Sequence, residues 1–90
     1  MNTKGPLRKE GILSRKLGDE WILYDTEKGS IHIINPMAEF VWGMCDGCHT
    51  FDEMEKRVEE AYSVPEGVTL KRDLENIVQS FANMGLFVSQ

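Results

Sequence analysis

The first third of the chain has a strand-like pattern of hydrophobic and polar positions. Ile12 to Leu17, Glu20 to Asp25 and Ser30 to Ile34 are rich in β-branched and aromatic residues, with turn signals between them. Gly18-Asp19 forms a tight turn, and Gly29 closes the longer loop Thr26-Glu27-Lys28-Gly29 from a left-handed position. Three strands joined by two short turns predict an antiparallel meander, whose first and third strands are both edges. The period then changes. Asn35-Pro36 is a helix-start signal, with Asn as N-cap and Pro in the first turn. Met37, Phe40, Val41 and Met44 follow at i, i+3, i+4 and i+7, a single apolar stripe that Gly47 ends. Thr50-Phe51-Asp52-Glu53 matches a capping box. Phe51, Met54, Val58, Ala61 and Tyr62 carry the second stripe up to a break at 63–67. A third helix from near Thr69 buries Leu70, Leu74, Ile77, Val78, Phe81 and Met84, with Gly85 as its C′ glycine. Leu86-Phe87-Val88 should pack back on the core.

Three strands followed by three helices predict an α+β domain with the helices on one face of the sheet. Two short helices followed by a longer one give it a winged helix-turn-helix-like outline. Residues 1–10, polar and holding Gly5 and Pro6, read as a flexible tail; 11–90 form the single domain. Ninety residues, 41% hydrophobic and 28% charged, suit one small globular unit with little room for a deep catalytic pocket. The formal charge of −5 opposes binding to nucleic acid or an anionic membrane, where affinity rests on neutralising phosphates. No apolar run approaches the ~20 residues of a membrane span, and the basic start from Met1 to Lys9 lacks the apolar centre of a secretion signal. Two cysteines, three residues apart, build no disulfide framework. A cytoplasmic protein is the expectation.

Cys45-Asp46-Gly47-Cys48-His49 fits the C-x-x-C-H pattern of c-type haem attachment. A strand-rich N-terminal third and a mid-chain position speak against haem. A redox pair would place its reactive thiol at a helix N-terminus, whereas Cys45 falls at a helix C-terminus. Zinc needs four ligands; Cys45, Cys48 and His49 supply three, and distant His32 is the only spare imidazole. Cys45, four past Val41, continues an apolar stripe and reads as a small core residue. His32 lies among isoleucines with no partner carboxylate in view and reads as structural. Asp19, Glu20 and Asp25 read as solvated turn and strand-end groups, and Trp21 and Trp42 as core or core-edge aromatics. No catalytic constellation emerges, and no cofactor is called for.

What remains is an edge. Between Ser30 and Asn35 the third strand has no Lys, Pro or other residue that blunts an open edge. Such an edge can take an extended peptide as an added strand. The N-terminal tail, the Leu86–Gln90 segment or a second copy of the chain could equally cover it.

The motifs Gly11-Ile12-Leu13-Ser14-Arg15, Trp21-Ile22-Leu23-Tyr24-Asp25, Ile34-Asn35-Pro36-Met37-Ala38, Val41-Trp42, Cys45-Asp46-Gly47, Asp73-Leu74 and Met84-Gly85-Leu86, in this order and spacing, resemble the PqqD family. These are small peptide chaperones of pyrroloquinoline quinone (PQQ) biosynthesis and the precursor-recognition elements of other ribosomally made, modified peptides. The resemblance spans about residues 11–88. It implies a non-catalytic protein that binds the leader segment of a precursor peptide as a strand added to the third strand, in a groove shared with the third helix. The peptide is then presented to a modifying enzyme, often a radical S-adenosylmethionine protein. Carried over by position, the strand is Ser30, Ile31, His32, Ile33 and Ile34. On the helix side Asp73 matches a characteristic family aspartate, and Arg72, Asp73, Asn76, Ile77 and Ser80 lie at helical spacings along one flank. Cys48-His49 departs from the family's pattern after Asp-Gly. A monomer or weak homodimer is expected. The competing readings are a winged-helix nucleic-acid or protein-interaction domain, and a haem or metal protein using Cys45, Cys48 and His49. A DNA reader would want a basic third helix, and Asp73 and Glu75 offset Lys71 and Arg72.

Overall fold

A computed structural model describes residues 5–65 and 67–88. Residues 1–4 of the expected tail, Glu66 in the second break and the last two residues lie outside the described set. Strands β1 (Ile12–Leu17), β2 (Glu20–Asp25) and β3 (Ser30–Ile34) form an antiparallel meander in the order β1-β2-β3. Leu13 pairs with Tyr24, which pairs with Ile31; Ser14 pairs with Leu23, which pairs with His32. The turn glycines Gly18 and Gly29 take positive φ, as the hairpins require.

Helices α1 (Pro36–Gly43), α2 (Phe51–Tyr62) and α3 (Lys71–Asn83) follow. The Asn35 side chain accepts a hydrogen bond from the Ala38 N–H at 2.8 Å, the N-cap expected there. Thr50 and Glu53 complete the capping box from both sides. The third helix starts later than expected, behind Leu70, which gives no side-chain cap. The Thr69 hydroxyl serves both helices, donating to Glu55 of α2 at 3.4 Å and accepting from the Lys71 N–H at 3.4 Å. No helix among the described residues is long and apolar enough to cross a membrane.

One face of the sheet is buried under the helices and the other is open. Leu23 and Ile34 enter the core from the sheet and meet Val41, Trp42, Met54, Val58, Leu74, Val78 and Phe81. Each large apolar side chain buried here contributes about 1.5–3 kcal/mol. Trp42 is the hub: its ring lies 5.0 Å from Phe81, edge-on, and stacks on Phe87 at 6.2 Å. Trp21, at the end of β2, is half-buried against the same core.

The segment read as a flexible tail is a strap from Pro6 to Lys9. Leu7 bridges to Asp46 and Arg8 to Phe87, antiparallel in both cases. The N–H groups of Arg8 and Lys9 donate to the carbonyls of Cys45 and Leu86 at 2.8 and 3.0 Å, while that of Val88 donates to Leu7 at 2.8 Å. The Arg8 guanidinium donates to the Trp42 carbonyl at 2.7 Å and lies 5.7 Å over its ring. Lys9 reaches Asp25 with Nζ 2.9 Å from Oδ2. That contact corrects the reading of Asp25 as solvated: it is 1% exposed, whereas Asp19 and Glu20 are exposed as expected. The second Asp25 oxygen accepts from the Glu27 and Lys28 N–H groups, so the carboxylate also builds the turn into β3.

Candidate functional site: an open sheet edge beside a groove

β3 is hydrogen-bonded to β2 along one side only. Among the described residues its outer edge meets no strand. The strap and the C-terminal segment, two candidates for covering it, pair with each other and with the loop after α1. β3 packs chiefly against β2, and away from Ile34, which shares the core with α3, the strand and α3 leave a space open. The space between is an open groove of about 230 Å³, lined by Ile33, Ile34, Asn35, Ala38, Ile77, Ser80, Phe81 and Met84.

The period of two sorts the strand's side chains. Ser30, His32 and Ile34 turn toward the helices and are half-buried, half-buried and buried; Ile31 and Ile33 project from the open face, more than 60% exposed. His32 Nε2 is buried without a hydrogen-bond partner in the structure. On the helix side, Ile77, Ser80, Phe81 and Met84 fall three and four apart, and these spacings put them on one flank of α3. The Ser80 hydroxyl donates to the Asn76 carbonyl one turn back at 2.9 Å, so the polar rim of the groove is satisfied within its own helix.

Of the residues expected at the site, Ile33, Ile34, Ile77 and Ser80 come together around this groove, with Ser30, Ile31 and His32 on the strand beside it. Arg72, Asp73 and Asn76 do not line it. Asp73 borders a small crevice among Met37, Glu55, Leu70 and Leu74, between helices rather than beside the strand. Asn35, Ala38, Phe81 and Met84 line the groove and were missed as site residues. Phe81 and Met84 carried a signal, since they continue the Ile77 flank of α3, but the same spacing marks the core stripe.

The C-x-x-C-H segment assembles no haem or metal site. Cys45 is fully buried, its thiol 3.3 Å from the Val41 carbonyl, and burial pushes its pKa up to about 12. Neither a porphyrin vinyl group nor a metal can reach a sulfur in that position. His49 Nδ1 lies 2.9 Å from Asp46 Oδ1, which also accepts from the Cys48 N–H. These contacts, the His49 hydrogen bond first, hold the Asp46 carboxyl below its usual range. No group of three or more His, Cys, Asp or Glu among the described residues is placed to hold a metal ion.

Comparison with protein-family models matches residues 20–86 to the family described as coenzyme PQQ synthesis protein D (PqqD). Comparison with curated sequences returned no match. Among solved structures, TbiB1 in complex with the TbiA(beta) leader peptide superposes with a TM-score of 0.74 at 20% identity, covering 93% of this chain and 96% of that one. The likeness establishes the fold, a three-stranded antiparallel sheet followed by three helices.

Proposed function

This chain belongs to the PqqD family, and on that footing we propose that it is a non-catalytic chaperone for a ribosomally made precursor peptide. The leader of that peptide adds to β3 as a fourth strand. Its backbone takes up the free N–H and C=O groups of the edge, and every second side chain enters the groove. The chaperone then presents the precursor to a modifying enzyme in the cytoplasm, a radical S-adenosylmethionine protein as in PQQ biosynthesis or a related modified-peptide pathway.

The observation that carries this reading is the β3 edge: unpaired among the described residues, free of blocking residues within the strand, and bordered by an apolar groove that has room for side chains. That TbiB1 was solved with a leader peptide supports the same assignment. A nucleic-acid role draws no comparable support, because Lys71 and Arg72 are followed at once by Asp73 and Glu75 and the chain carries a net −5.

An amide NMR titration with leader peptides encoded beside the gene tests the proposal. Shifts should be confined to β3 and to Asn35, Ala38, Ile77, Ser80, Phe81 and Met84, saturating at one equivalent. Ser80 is exposed, so Ser80→Trp should fill the groove without touching the core. It should weaken leader binding at least ~10-fold, about 1.4 kcal/mol, with the thermal midpoint unchanged. Shifts that leave the β3 amides unmoved would sink the proposal.

A further inference from the structure

The face of the sheet turned away from the helices is apolar where a solvated face would alternate toward polar residues. Its rows are Leu13–Tyr24–Ile31, Arg15–Ile22–Ile33 and, at the end of the sheet, Leu17–Glu20, which adds one carboxylate to the rim. Leu13 is 49% exposed, Tyr24 37%, Ile31 63% and Ile33 61%, and Leu17 at the sheet's end is 61% exposed. The patch amounts to on the order of 500 Å², the upper range of what a monomer leaves open and a mark of an interaction surface. Arg15 stands within it and has no carboxylate partner among the described residues.

Two features indicate what covers it. Two copies packed face to face would bury roughly 1,000 Å² of this patch in total, the extent of a weak interface at most. Each copy would also bring a net charge of −5 to the contact. Continuity with the β3 edge is the second. In a strand added to β3, side chains alternate between faces. One set enters the groove, and the other set emerges beside Ile31 and Ile33 and widens this patch. A partner seated on the face therefore touches chaperone and leader together.

We propose that this outer face is the docking surface for the enzyme that modifies the bound precursor, and that the leader completes it. The inference rests on the leader-binding reading above. The matching surface on the enzyme is apolar, with a carboxylate placed to pair with Arg15. Docking is thereby conditional on cargo: the empty chaperone offers three strands of the contact and the loaded one offers four.

The test uses the full chain, a synthetic leader and the purified modifying enzyme encoded in the same gene neighbourhood. Leader affinity is read by fluorescence anisotropy and enzyme affinity by calorimetry, with and without leader. Leu13→Glu combined with Tyr24→Lys replaces one apolar cross-strand pair by an oppositely charged pair, which preserves strand pairing. This double variant should bind leader within about twofold of the wild type and lose at least ~10-fold toward the enzyme. Arg15→Glu should slow association and reduce its salt dependence. Leader should tighten enzyme binding to the wild type ~10-fold or more. Enzyme affinity unchanged in the double variant overturns the docking surface while leaving leader binding intact. A wild-type dimer in sedimentation that the double variant dissolves also overturns it, in favour of self-association. Absence of leader binding to the wild type removes the underlying reading and this inference with it.

Discussion

Cys45 and Cys48 stand three residues apart, one buried and the other open to solvent. Cys45 lies within the core, with its pKa pushed up to about 12 by burial, while Cys48 is exposed. A thiol-reactive reagent at pH 8 should label Cys48 within minutes and leave Cys45 unlabelled until denaturant is added, a result mass spectrometry reads directly. Equal labelling of both would mean that the end of α1 opens in solution. Asp25 makes a second residue-scale case. The hydrogen bond from Lys9 holds its carboxyl below the ordinary 3.8, against the upward push of burial and with help from the Lys28 and Glu27 N–H groups. The unfolded chain therefore takes up this proton at a higher pH than the folded one. The stability supplied by this carboxylate is complete at neutral pH and is lost as pH falls below about 4, through the lowered folded-state value. Asp25→Asn should flatten that acid limb in a series of melting curves, and an unchanged limb would show that the pair with Lys9 is not formed. Core position was legible for Cys45 because it extends a helical stripe. It was not legible for Asp25, whose burial depends on a lysine from the strap that no local period connects to it.

At the scale of elements, the three strands lie where turn residues bracket them, since Gly18 and Gly29 are positions whose positive φ few other residues tolerate. α1 and α2 likewise start at their caps. α3 was harder to place because the Thr69 hydroxyl does accept from the Lys71 N–H, as an N-cap would, while the cap position itself falls to Leu70. The site was legible in half. The β3 edge follows from counting strands, and Ile77 and Ser80 follow from helical spacing. Arg72, Asp73 and Asn76 were assigned to the groove by helical spacing along one flank, and Asp73 also by its match to a family aspartate; none of the three lines it. A real helix rises ~1.5 Å per residue, so Asp73 lies ~6 Å along the axis before Ile77, the first α3 residue to line the groove. Phe81 and Met84 serve both the core and the groove, and a single sequence cannot separate those roles. The strap was missed altogether: two isolated bridges made by backbone groups leave no side-chain pattern to read.

For the molecule as a whole, the strap ties the loop after α1, the C-terminal segment and the turn into β3 to one another through Arg8 and Lys9. On the proposed reading the β3 edge is thus held before any peptide arrives, so an incoming leader would meet a preformed strand and bear the cost of ordering only itself. The same open edge has a colloidal consequence. Nothing in β3 repels a second β3, so the net charge of −5 is left to oppose edge-to-edge pairing at neutral pH. That protection vanishes near the isoelectric point of 4.9 and is screened by salt. Light scattering should rise as a solution of the free chain is brought to pH 5, and one equivalent of leader should suppress the rise by occupying the edge. The precursor would then act as the solubilising agent of its own chaperone, and a cell making the chaperone in excess of its cargo would hold the part of the pool most prone to associate.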